Sequence, residues 1–162
     1  ALAAAELQIP ERRLVGSAPE ALAAAIRAIV GVEADCSPGD VSLAVLGVPP
    51  SIVVPWDDAT IGGFGLSRML SAAQLARIEA RAAKLWPPGP YALGAVAAEA
   101  VKAIVQGSRG PLNVLTVLTG EFGVRGRVGV VPSFLGPAGI TRTRVPPLDA
   151  KERVSLETAL RA

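Results

Sequence analysis

The chain has 162 residues, with 16 Lys and Arg against 14 Asp and Glu, a formal net charge of +2; 51% of it is hydrophobic, 19% is charged, and none is histidine. This length suits one domain with a core of its own, and the low charge and high apolar content exclude disorder. The lone Cys36 excludes a disulfide framework and a multi-cysteine zinc site; the missing imidazole excludes a Ser-His-Asp triad, a Cys-His dyad and every histidine-ligated metal.

The small net charge, with no concentrated basic stripe, argues against nucleic acid as a partner. No apolar run reaches the roughly 18 residues of a membrane span. No basic segment followed by an apolar core marks a secretion signal. The expectation is therefore a soluble cytoplasmic protein.

Residues 1–8 read as helix, ending before Ile9-Pro10 because proline disfavours helix in the residue before it. Ser17 and Glu20 have the spacing of a capping box. Leu22, Ile26, Ile29 and Val30 then recur at helical spacing, and Gly31 is the expected stop. Pro38-Gly39 is a turn. Val41 to Leu46 reads as a strand that Gly47-Val48-Pro49-Pro50 breaks, and Ile52 to Trp56 as a second strand able to pair with it. A second capping box, Ser71 and Gln74, opens a helix with Leu75, Ile78, Ala82 and Leu85 on one face. Trp86 to Pro90 is a loop, its prolines lacking backbone donors. Tyr91 to Gln106 is a further amphipathic helix, with Leu93, Ala97, Val101 and Ile104 expected inward. Leu112 to Leu118, Arg127 to Phe134 and Ile140 to Val145 form a three-stranded meander with glycine turns. Asp149 and Glu152 make a third capping box before a terminal helix with Leu156 and Leu160 inward. The order predicts one α+β domain, antiparallel strands packed with helices.

The chemistry visible on these grounds is thin. Ile61-Gly62-Gly63-Phe64-Gly65 is glycine-rich but lacks the spacing of a dinucleotide cradle. Asp57-Asp58 could hold a hard cation, although adjacent residues point different ways and Asp often ends a strand. Arg142 and Arg144 alternate along one strand and so share a face. With Arg109, Arg125 and Arg127 they could form an anion patch or a solvated strand face. Cys36 has no cationic neighbour in sequence to activate it. Trp56, Trp86 and Tyr91 read as core or interface anchors.

Several segments, in one consistent order, resemble one family. Pro10-Glu11-Arg12-Arg13-Leu14-Val15-Gly16 is similar to the P-x-x-R-V-I-G that opens the C-terminal domain of lactate/malate dehydrogenases. Val45-Leu46-Gly47 followed by Val54-Pro55-Trp56 resembles the family's L-G-x-H-G-D-S-x-V-P-L-W. Ala59-Thr60-Ile61-Gly62-Gly63 resembles A-T-V-G-G. Tyr91-Ala92 and the alanine-rich helix after it resemble Y-A-P-A-A-A. Gly120-Glu121-Phe122-Gly123 resembles G-E-Y-G. Val131-Pro132-Ser133-Phe134-Leu135-Gly136-Pro137-Ala138-Gly139-Ile140 resembles V-P-V-x-L-G-x-x-G-V.

The resemblance implies a C-terminal substrate and oligomerisation domain over residues 9–162. Residues 1–8 would be the end of a helix joining it to an N-terminal, NAD-binding Rossmann half, of which this chain holds nothing. Homo-oligomers are implied as well. The resemblance assigns no cofactor to this half; NAD would belong to the other. The family's reaction takes a histidine to accept the hydroxyl proton, an aspartate to orient it, and an arginine to grip the substrate carboxylate with a bidentate fork. In register these positions fall on Pro49, Leu22 and Ala25. An arginine two residues beyond the substrate arginine, which contacts a sugar-phosphate effector in some members, is matched by Arg27. Loss of a general base alone costs roughly 10²–10⁴ in rate. The resemblance therefore implies a dehydrogenase-like domain inactive in the ordinary 2-hydroxy acid reaction. The alternatives are a non-catalytic assembly module and an anion-binding module using Arg27, or Arg142 and Arg144.

Overall fold

The structure, a computed structural model, describes Glu6 and residues 8–161. The helix expected over residues 1–8 falls almost wholly outside the described residues. A 3₁₀ turn, Glu11–Arg13, is followed by α1 (Ala18–Ala34), a 3₁₀ turn at Pro38–Asp40, and five short strands. These are β1 (Val41–Ser42), β2 (Leu46–Val48), β3 (Ser51–Val53), β4 (Thr60–Ile61) and β5 (Phe64–Gly65). Next come α2 (Leu66–Met69), α3 (Ala72–Ala82), α4 (Pro90–Gln106), β6 (Leu112–Thr119), β7 (Arg125–Gly136), β8 (Gly139–Thr143) and α5 (Ala150–Arg161). The architecture is α+β, with every strand pairing antiparallel.

The long strand β7 organises the main sheet. Val130 pairs with Leu115 on one edge and Gly47 on the other; Ser133 pairs with Leu112 on one edge and Thr143 on the other. So β6 runs along one edge of β7, while β2 and β8 share the opposite edge. The β6–β7–β8 meander is the one anticipated from sequence, and the antiparallel β2–β3 pair stands near the expected hairpin with its first strand shifted to Leu46–Val48. A separate small sheet, β1-β4-β5, stands beside them.

The strand expected over Val41 to Leu46 is split. Val41 and Ser42 pair with Ile61 and Thr60, whereas Leu46 already belongs to β2. Between them, Val45 N donates to the Asn113 Oδ1 in β6, 2.8 Å away. A side chain from the sheet thus satisfies a backbone group that a ladder partner would otherwise take. Gly47 and Val48 lie within β2, so only Pro49-Pro50 forms the break. The glycine segment at residues 61–65 is the plain reading, a tight β4–β5 turn with Gly62 and Gly63 at positive φ.

Helix α1 buries Leu22, Ile26, Ile29 and Val30 against the largest core cluster. Each such side chain contributes about 1.5–3 kcal/mol on burial. The helix runs past Gly31 to a left-handed Asp35. Gly31 is instead a close-approach position, since a Cβ there would lie 2.8 Å from the Cys36 carbonyl oxygen. Helix α3 packs Ile78 and Ala82 on the same core, with Leu75, Leu85, Trp56 and Trp86 partly buried around them. It is tied to α1 by Arg77 Nη2 on Glu33 Oε2 at 2.9 Å, and the hydrogen bond from Arg77 holds the Glu33 carboxyl below its ordinary range.

Helix α4 is rotated from its expected phase. It buries Val96, Ala100 and Ala103, and Ile104 is partly buried. Leu93, Ala97 and Val101 are exposed, and Tyr91 is 94% exposed rather than a core anchor. The helix has two apolar stripes, and the smaller one lies inward, where α4 packs on α1 and β7. Small side chains let the elements approach closely, which a Leu and Val stripe at the same positions would prevent.

Of the three expected capping boxes, two form. Ser71 and Gln74 cap α3 reciprocally, and Asp149 and Glu152 do so at α5. Glu152 also accepts from Trp56 N at 3.2 Å, joining α5 to the chain beyond β3. Ser17 makes no side-chain cap, because its own backbone is helical and Glu20 N bonds its carbonyl instead; the Glu20 side chain, the other half of the box, is turned into the protein.

Candidate functional site

A cleft of about 530 Å³ lies between the first turns of α1, the Pro38–Leu43 segment, the C-terminal half of α4 and the Gly107–Pro111 loop. Its charged lining is Arg27, Lys102, Arg109 and Arg144, with Glu20 and Glu99. The helices deliver most of these groups. Glu20 and Arg27 lie seven residues apart, two turns of α1, and so share one face. Lys102 and Glu99 come from α4. Ser108 anchors the following loop: its N donates to Leu135 O and its Oγ accepts from Leu135 N, both at 2.9 Å.

At the α1 end stands a connected polar cluster. Glu20 is only 6% exposed. Its Oε2 accepts from Asn113 N at 2.7 Å and from Asn113 Nδ2 at 2.9 Å, and its Oε1 pairs with Arg27 Nη2. Asn113 thus uses its backbone N–H and both ends of its amide, the other end holding Val45. A buried carboxylate needs such partners, because an unpaired charge there costs several kcal/mol. At the far wall Arg144 Nη2 pairs with Asp58 Oδ1 at 2.7 Å. Lys102 and Glu99 are 3.9 Å apart and well exposed, a contact of little energetic weight.

The expected residues divide as follows. Arg27, Arg109 and Arg144 all line the cleft. Arg142 does not join them: it lines a separate cavity of about 230 Å³ with Arg12, Glu121 and four threonines, two from β6 and two from its own strand β8. Its guanidinium sits 4.1 Å from the Phe134 ring centroid, a cation–π contact. Arg144 continues the β7–β8 ladder just past the end of β8, its N on Pro132 O, but its guanidinium goes to Asp58 while that of Arg142 stays over Phe134. The shared Arg142 and Arg144 face expected from alternation is therefore not formed. Arg127 donates to Leu160 O at 2.8 Å, capping the end of α5. Asp57 is exposed while Asp58 faces Arg144, so the vicinal pair does not act as a unit. Among the described residues, no three His, Cys, Asp or Glu side chains gather as a metal site.

The positions matched to the dehydrogenase machinery lie outside the cleft lining. Leu22 is 1% exposed within the main core. Ala25 is partly buried on α1, and Pro49 is partly buried in the β2–β3 turn, where its peptide bond to Pro50 is cis.

Sequence reasoning missed Asn113, and it assigned Glu20 to a cap. Asn113 did carry a signal. An amide inside the β-branched run of Leu112 to Leu118 is out of place on a buried strand unless its hydrogen bonds are met.

Comparison with known proteins places this fold. The chain is 30% identical over 161 residues to malate dehydrogenase of Cytophaga hutchinsonii, covering 94% of this chain and 52% of that protein. It is 31% identical over 165 residues to L-lactate dehydrogenase of Allorhizobium ampelinum, covering 93% and 53%. The chain matches the C-terminal half of the lactate/malate dehydrogenases. The solved malate dehydrogenase of Salinibacter ruber superimposes with a TM-score of 0.83 at 27% identity, over 93% of this chain and 52% of that one. The dehydrogenase-like domain thus spans about half the length of the curated relatives it matches. No family model matches it. Among the described residues, no helix is long and apolar enough to cross a membrane.

Proposed function

We propose that this is the substrate and oligomerisation domain of a malate/lactate dehydrogenase-like oxidoreductase that has lost the ordinary proton relay. Residues 9–162 form the domain. The reading is carried by the complete absence of histidine from the chain. It is supported by the residues at the three matched positions: Pro49 for the proton acceptor, Leu22 for its orienting carboxylate, Ala25 for the substrate clamp. A buried Leu22 suits a site in which no imidazole remains to be oriented; an orphan aspartate there would be costly. Loss of the arginine fork removes carboxylate positioning as well as charge. NADH oxidation with oxaloacetate or pyruvate, measured on this chain joined to its NAD-binding half, is expected at background. Steady-state turnover well above background overturns the reading. A cytoplasmic setting goes with it.

Two observations favour non-catalytic roles for the same domain. The outer face of α4 exposes Tyr91, Leu93, Val101 and Val105, which supports an assembly role, with homo-oligomers as the expected state. A strict monomer by light scattering at micromolar concentration counts against it. The convergence of Arg27, Lys102, Arg109 and Arg144 supports anion binding in the cleft, which predicts salt-sensitive binding of phosphorylated ligands.

A further inference from the structure

The basic groups of the cleft are not equally available. Arg27 faces a carboxylate that is fixed in advance: Glu20 Oε2 is held by both donors of Asn113, leaving Oε1 for the guanidinium. Arg144 is likewise engaged by Asp58 at 2.7 Å. Lys102 has only the exposed 3.9 Å contact with Glu99, and Arg109 is exposed on its loop. A carboxylate held in place in the same chain competes with any dissolved anion at a high effective concentration, and its nearly buried setting strengthens the attraction.

We propose that Glu20 is a built-in ligand of the cleft. Its carboxylate occupies the Arg27 end in place of an external oxyanion, and only the Arg109 and Lys102 end is open to a free anion. The inference deepens the anion reading of the cleft and reverses its emphasis, since Arg27, the residue the family resemblance marks for an anion, is internally satisfied. Glu20→Gln is the informative change. It keeps an amide oxygen for the Asn113 donors and turns an NH₂ towards Arg27, which releases the guanidinium.

Inorganic pyrophosphate, titrated calorimetrically at low salt, is the probe. In the wild type, Arg27→Gln leaves affinity unchanged and Arg109→Gln weakens it. Glu20→Gln tightens binding by roughly tenfold or more, about 1.4 kcal/mol, and the gain disappears in Glu20→Gln/Arg27→Gln. An unchanged affinity in folded Glu20→Gln, or a gain that survives in the double variant, overturns the inference. Where circular dichroism shows that Glu20→Gln does not fold, the Arg27→Gln comparison decides: weaker binding overturns the inference and leaves the anion reading standing, whereas unchanged binding supports both. No binding by the wild type with a gain in Glu20→Gln supports the built-in ligand and disposes of the anion reading for the native protein. No binding by any folded form overturns both.

Discussion

Helix α1 has two faces with opposite chemistry. On one, Leu22 and Ile26 lie in the main core, and the positions matched to the family's aspartate and arginine are Leu22 and Ala25. On the other, Glu20 and Arg27 form a charged pair tied to Asn113 on β6. The first face is apolar where its dehydrogenase relatives are expected to be polar; the second keeps charge in a nearly buried place. The contrast teaches that charge alone does not mark a working site. At Leu22 a carboxylate would have no partner, and so an alkyl group is the stable occupant. At Glu20 the carboxylate has three donors, from Asn113 and Arg27, and the pair is tolerated.

The strongest way to break this contrast is Leu22→Asp. It places the aspartate that the family resemblance implies at a position that is 1% exposed with no imidazole to meet it. The loss of apolar packing and the buried carboxyl together should cost at least about 3 kcal/mol, read from urea unfolding at neutral pH. No dehydrogenase activity should return with it. A loss below about 1 kcal/mol would mean that the position accommodates a carboxyl group after all, and the contrast would fail.

Asn113→Ala tests the other face. The substitution removes one of the two Asn113 donors to Glu20 and the acceptor for Val45 N. It leaves the backbone bond from residue 113, so the cluster is weakened rather than abolished. The expected cost is about 2 kcal/mol, smaller than at Leu22, with the main-sheet strands intact by circular dichroism. A cost within a few tenths of a kcal/mol would show that the cluster is merely solvated surface.

The limits of sequence reading follow from the same distinction between local and distant partners. The capping boxes of Ser71 with Gln74 and of Asp149 with Glu152 were legible because both members lie within one turn. Ser17 with Glu20 has the same spacing and fails: Ser17 is itself helical, and the Glu20 carboxylate goes to Asn113, 93 residues away. The β6–β7–β8 meander was legible from its β-branched runs and glycine turns. The division of Val41 to Leu46 was not, since it depends on Asn113 reaching Val45. For α4, two apolar stripes on one alanine-rich helix left the periodicity without a way to choose between them. Packing against α1 and β7 chose Val96, Ala100 and Ala103. Of the cleft, Arg27, Arg109 and Arg144 were visible in the sequence. Their convergence with Lys102 and Glu20 is a property of the folded chain.

The smallest expected effect comes from a carboxylate whose donors are nearby in sequence. Burial pushes the Glu121 carboxyl up, but hydrogen bonds from its own amide, from Thr119 and Gly120 amides and from the Thr143 side chain leave it below its ordinary 4.5. The Thr119 N bond is 2.7 Å long. A carboxyl lowered in the folded state is the more acidic there than in the unfolded chain. Its contribution is complete above pH 4.5 and is lost as pH falls through the lower folded value. Glu121→Gln should therefore lower the thermal midpoint slightly at pH 7 and make its decline below pH 4.5 shallower than in the wild type. Midpoints recorded from pH 7 down to about pH 3, near the bottom of the usual carboxylate range, would check this. Parallel wild-type and variant curves would mean that the turn holds its carboxylate no better than water does. The tie to Thr119 would then be cosmetic, and among the carboxylates compared only Glu20, fixed by a distant strand, would remain as one the fold holds in place.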